Sequence, residues 1–415
     1  MKVSLATEMA PPFVLVAHFF IAAIVFLVLS GVALLFIVPD MEGYFIASSL
    51  AAFSHLYLLG FVMMVIFGAM YQLLPVVLEA PIFSKDFAYV QFYIYLCGLV
   101  MIVSGFSFSA LHLLIPYGAV ITYTSMVIFC VNVFLTFFRL ERIHLVGKFL
   151  LVATLFLFLS ISLGLVVGLH LGHGLFEIDS NAWIQAHILG TLAGFVLMVI
   201  MGVSMVLLPM FSLSHGYSQK WIESALYLHS AGVLGAMFCL LAGYEKIVML
   251  CLGMVVGSSL LFVIQMLIIL KHRVRKQNDY WVKNILFALF CFTCNLVVVW
   301  FDVVLGGIGF FFGFLLPYIV GHIYKILPFL IWYEKFSPLV GKQKVPLLHQ
   351  MIQSRVADAQ TYFLFSAIGI IFLAKMIEKA SLFYLGVTLL AISIVLVVYN
   401  VFYTFTYTLK ESHNA

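Results

Sequence analysis

Thirteen histidines stand in a chain of 415 residues that is 65% hydrophobic and only 9% charged. Several of them fall inside apolar runs. An imidazole is the usual protein ligand for haem iron and a good one for copper or zinc. A polar side chain within a bilayer is costly and marks a candidate functional position. His55 and His187 are the leading candidates, each a turn or two from the outer end of its segment, at a depth suited to a haem in the outer half of the membrane. His170 and His173 share a helix face and, with His112, could form an outer metal site. His18, His229 and His322 lie deeper or towards the inner side, with Lys325 one turn beyond His322. These three could supply a second ligand set, and Lys325 either lines a polar path or reaches to the inner interface. For His55 and His187 the competing reading is a buried ring hydrogen-bonded to a helix backbone, and for the outer trio it is an interfacial histidine facing water. Cys291 and Cys294, and the methionines Met198, Met201 and Met205, could offer soft sulfur ligands, or could simply pack.

The elements that must hold these residues are membrane helices. Continuous apolar runs of about 20 residues or more predict spans near 12–38, 46–77, 88–113, 115–138, 148–172, 182–210, 221–242, 245–270, 280–305, 307–333, 358–379 and 382–409. The runs lack the alternation of barrel strands, so the expected fold is an all-α bundle of twelve transmembrane helices. Met1 to Pro11 lacks the pattern of a cleaved signal. The six cysteines sit in apolar segments and imply no disulfide framework. The net charge of +4 is spread through short loops, which excludes a nucleic-acid-binding face. Lys and Arg concentrate in alternate loops, including Arg139, Arg142, Lys271, Arg273, Arg275, Lys276, Lys342 and Lys344. The positive-inside rule then places both termini in the cytoplasm, as for an inner-membrane protein of bacteria.

One pattern repeats. Gly60-Phe61, Gly68 and Pro75 recur as Gly194-Phe195, Gly202 and Pro209, and again as Gly313-Phe314, Gly321 and Pro328. The shared form G-F-x6-G-x6-P falls in the second helix of three successive four-helix blocks, near 12–138, 148–270 and 280–409. A single membrane domain, 1–415, of three four-helix arcs with pseudo-threefold symmetry is expected.

The second helix carries His55, Gly60-Phe61, Gly68-Ala69-Met70-Tyr71 and Pro75. With the twelve-helix plan, this resembles subunit I of the haem-copper oxidase superfamily, in its nitric oxide reductase form. It is also similar to the NnrS family of membrane haem proteins linked to nitric oxide metabolism. The residue matches concentrate in the second and sixth helices. The resemblance implies b-type haem, with copper as a second candidate, in respiratory or nitrogen-oxide metabolism beside other respiratory-chain or cytochrome components in the bilayer. Oxidases set propionate-binding arginines in the loop between their last two helices, where this chain has Lys375 and Lys379.

Three departures matter. Gly306 to Phe311 has no histidine where oxidases carry a His-x-His pair. Leu228 precedes His229 where adjacent histidines hold copper. Thr191 stands four residues after His187, where oxidases use Tyr and nitric oxide reductases Glu. A conventional dioxygen-reducing centre is therefore expected to be absent or rebuilt. The alternative expectation is a copper or haem transporter or assembly factor.

Overall fold

A computed structural model describes residues 11–37 and 47–408. Asp40, Glu42 and His413 lie outside the described residues. Twelve helices are long and apolar enough to cross a membrane, and no strand occurs among the described residues. They are α1 Phe13–Ile37, α2 Ser48–Leu78, α3 Lys85–Ser107, α4 Leu114–Phe137, α5 Leu145–His173 and α6 Ser180–Ser212. The rest are α7 Lys220–Leu241, α8 Glu245–Lys271, α9 Tyr280–Val298, α10 Val303–Lys335, α11 Ser354–Met376 and α12 Ala380–Phe405. The chain is an integral membrane protein.

Polar caps move several boundaries from those the hydropathy predicts. The Asp302 side chain accepts from Leu305 N–H and starts α10 at Val303, so α9 stops at Val298 instead of running on to 305. Ser84 accepts from Phe87 N–H and starts α3 three residues early. Short polar side chains satisfy helix N–H groups that have no intrahelical acceptor.

Two compact units are present. The first holds the residues up to Ala22 and Ala51–Lys276; the second holds Ala23–Leu50 and the chain from Gln277 onward. Blocks one and two fall mainly in the first, and block three in the second.

The repeat is visible in the local structure of each block. In α2, α6 and α10 at least 67% of the central window is buried, against at most 50% in the other nine helices. Each of the three contains a stretch of wider π-helix, at Leu56–Met63, Gly190–Leu197 and Gly309–Leu315. All three stretches begin four residues before the Gly of the Gly-Phe pair. In block two, a β-carbon on Gly190, Gly194 or Gly202 would lie within 3 Å of Ser160, Phe156 or Phe149 of α5. In block three, Gly309, Gly313 and Gly321 meet Asn295, Cys291 and Asn284 of α9 at the same spacings. Gly68 meets Phe19 of α1 in the same manner. The missing side chains let backbones approach, which drives helix packing where lipid offers no hydrophobic gain.

A second threefold signature escaped the sequence reading. The fourth helix of each block carries Ser, then Asn or Gln seven residues on: Ser125 and Asn132, Ser258 and Gln265, Ser393 and Asn400. Each Ser bonds to the third helix, at Gln91 O (2.8 Å), at His229 (2.8 Å) and at Gln360 (2.9 Å). Each amide binds the backbone just before that helix, at Ser84, Ser218 and Gln353. Buried amides thus pin every hairpin in register by satisfying backbone groups at a helix start.

The glycine packing gives a first expected result. Gly202→Ala places its β-carbon 2.6 Å from Phe149 Cβ, and overpacking of this kind costs about 1–3 kcal/mol. Gly257→Ala meets only Leu228, at 3.7 Å, and should gain up to about 1 kcal/mol from helix propensity. Melting temperatures in detergent should move in opposite directions, and equal shifts would refute a close approach at Gly202.

Candidate functional site

His55 and His187 are each the eighth residue of their helices, α2 and α6. Both rings are half-buried. His55 Nδ1 lies 2.7 Å from the Ala51 carbonyl one turn back, and its ring stacks on Phe106 of α3 at 5.3 Å between centroids. His187 Nδ1 lies 2.8 Å from the Ser160 carbonyl of α5. Gly164 makes room for that ring, because a β-carbon there would lie 2.7 Å from His187 Cε1. A carbonyl can only accept, so Nδ1 carries the proton in both rings and Nε2 presents a lone pair. Metal-binding histidines are oriented in this way. One turn beyond His187, and on the same face, Thr191 Oγ1 is buried without a hydrogen-bond partner.

The remaining candidates divide by what their nitrogens do. His229 is fully buried, with Nδ1 2.8 Å from Ser258 Oγ and Nε2 3.0 Å from the Ala193 carbonyl. Ala193 belongs to the π-helical stretch of α6, where widened turns leave carbonyls open to side chains. Tyr95 of α3 serves the corresponding carbonyl in α2, donating to Leu59 O at 3.0 Å. With both nitrogens engaged, His229 braces the widened turn and offers no lone pair to a metal. His322 is buried, with Nδ1 2.7 Å from Tyr318 O, and lies edge-on to Trp281. His18 stacks on Phe92 at 5.6 Å, and its Nδ1 is buried without a hydrogen-bond partner.

The outer trio is not gathered into a ligand set. His170 spends Nδ1 on Phe176 O (2.7 Å) and Nε2 on Ser180 Oγ (3.1 Å), clasping the α5–α6 loop where Gly174 turns left-handed. His112 is exposed beside Ser109 O, and His173 is exposed edge-on to Tyr117. Among the described residues, no group of three His, Cys, Asp or Glu side chains is placed to hold a metal.

Lys325 is paired. Its Nζ lies 2.7 Å from Asp279 Oδ2 and 5.2 Å from the centre of the Tyr280 ring. The other carboxylate oxygen of Asp279 caps α9 through Val282 N–H. The sequence reading considered neither this partner nor the cap. Asp279 stands immediately before an apolar run that ends its own loop, and that position was the available signal. Lys375 closes the last turn of α11, and Lys379 is exposed at the N-cap of α12 in the second unit. Met198, Met201 and Met205 of α6 are buried, and Cys291 fills the packing position opposite Gly313. His144, His215, His272 and His349 are exposed.

Compared with known protein families and with characterised proteins, the chain matches none.

Proposed function

We propose that this protein binds b-type haem through His55 or His187, or both, and serves respiratory or nitrogen-oxide metabolism. The observation that supports this reading is the pair of imidazoles, each fixed by a backbone carbonyl at Nδ1 and presenting Nε2. The donor set fits iron, whose usual protein ligand is imidazole. Haem would supply reversible redox or gas-ligand chemistry. The chain's own part is to orient the two rings, and to offer the Thr191 hydroxyl as a donor beside His187. Ligation by both imidazoles would favour electron transfer, and ligation by one would favour binding of carbon monoxide or nitric oxide. A dioxygen-reducing oxidase is disfavoured, because Thr191 has neither the phenol nor the carboxylate found at that place in the families it resembles.

A second reading, copper handling as a transporter or assembly factor, draws on one observation. The imidazole pair has no third ligand of the usual kind among the described residues, and a sparse donor set suits passage better than retention. The absorption spectrum of the purified protein, taken with metal analysis, separates the two. Haem bands with iron support the first reading, copper without haem supports the second, and neither would sink both.

Both chain ends are proposed to face the cytoplasm of a bacterial cell, at the inner membrane. Twelve crossings return the chain to the side from which it starts, and the Lys- and Arg-rich loops belong inside. A reporter inserted at residue 340, in the α10–α11 loop, should therefore be active only if cytoplasmic. A periplasmic signal there would reverse the topology.

A further inference from the structure

We propose that Cys239 and Cys251 form a two-thiolate site for a soft monovalent ion, Cu(I), near the turn of the α7–α8 hairpin. Along α7, Gly232, Gly235 and Cys239 follow one another at helical spacing on a single face. A β-carbon on Gly232 would lie 2.9 Å from the Cys251 carbonyl, and one on Gly235 would lie 2.8 Å from Cys251 Sγ. The two glycines therefore draw α8 onto α7 and seat the Cys251 thiol one turn below Cys239. The Cys251 thiol thus rests on the seam of α7 one helical turn from Cys239. Both cysteines are free and buried.

Two buried sulfurs one turn apart on an apolar seam suit a soft ion of low coordination number. Thiolate and thioether ligands select Cu(I), whereas structural zinc almost always takes four ligands, and no third His, Cys, Asp or Glu joins this pair among the described residues. Met254, three residues after Cys251, packs its β-carbon against Gly232 on the same seam. Binding forms two Cu–S bonds, and each ligating thiol gives up its proton to solvent. Copper stays at +1, so no oxidant is required. The site uses none of the residues of the imidazole pair and stands independently of it.

The full-length protein, purified anaerobically in detergent under reducing conditions, would be titrated with Cu(I) held by a chromogenic cuprous chelator. Wild type should withdraw one equivalent that Cys239→Ser and Cys251→Ser each bind at least about tenfold more weakly, since removing a ligand costs no less than disturbing its supports. Cys291→Ser should behave as wild type. Bound Cu(I) should also protect Cys239 and Cys251 from maleimide. Serine is close in size to cysteine, and unchanged melting temperatures would show that the fold survives. The haem region of the spectrum, read in the same samples, reports separately on the imidazole pair. Unaltered copper uptake in both serine variants would overturn the proposal. So would failure of copper to protect the two thiols, or their recovery as a disulfide that leaves no copper-binding form after reduction.

Discussion

Purified His55→Ala and His187→Ala proteins are expected to lose or strongly shift the haem spectrum of the wild type while remaining inserted in the membrane. Disturbing the outer support of a metal ligand typically weakens binding by about 10–100-fold, and removing the ligand itself should exceed that. The apolar stretches that carry each helix through the bilayer are untouched by either change, so insertion should persist. Gly164→Val is the companion variant. It keeps both imidazoles but drives a side chain into His187, whose Cε1 would lie 2.7 Å from the new β-carbon. It should therefore shift the spectrum without abolishing it. If all three variants kept the wild-type spectrum, the metal would be held elsewhere. His18, half-buried on α1, and His322, buried on α10, would then be tested next.

The second large effect is expected at His229, and it is one of stability. Its ring joins Ser258 of α8 to the Ala193 carbonyl of α6. The Ala193 carbonyl must accept, which makes Nε2 a donor, while Nδ1 lies 2.8 Å from the Ser258 hydroxyl, which also bonds to Val255 O. His229→Ala removes both bonds, opens a cavity and leaves the carbonyl of a widened turn unserved. Hydrogen bonds between membrane helices are worth about 0.6 kcal/mol on average and up to about 1.7. With the lost packing, a total near 2–4 kcal/mol is expected. The melting temperature in detergent should fall while the bound cofactor per folded molecule stays constant. Loss of cofactor in folded His229→Ala would mean that this ring is a ligand after all.

These two variants distinguish histidines that look alike in the sequence. His55, His187 and His229 are all single imidazoles in apolar runs, and only their depth set the first two ahead in the sequence. What separates them is which ring nitrogen is spent, and that depends on carbonyls supplied by other helices or freed by a local change of helical pitch. The π-helical stretches have no residue signature of their own. The Gly-Phe pairs mark where they occur without stating that the helix widens there. Lys325 is a similar case: its partner Asp279 lies 46 residues away in the chain, and only the side-by-side packing of α9 and α10 brings the charges to 2.7 Å. His112, His170 and His173 show the converse. A shared place at the outer ends of their helices suggested a ligand set, but the left-handed turn at Gly174 folds the loop back so that His170 clasps it.

What the sequence determined by itself is what local physics fixes. A run of some 20 apolar residues has no stable place except a membrane helix, so the twelve spans and their approximate limits could be read directly. Glycines at fixed offsets within three such runs announced a repeated packing surface, since a missing side chain is a local property with one structural use there. Tertiary structure decided the rest. It chose the tautomer of each buried imidazole, the partner of each buried charge, the amide latches of the hairpins and the seating of the Cys251 thiol against Gly235. Each of these depends on a hydrogen-bond acceptor, a counter-charge or a sulfur on another helix. In a bilayer every helix carries much the same apolar face, so only the packed backbones determine which polar groups meet.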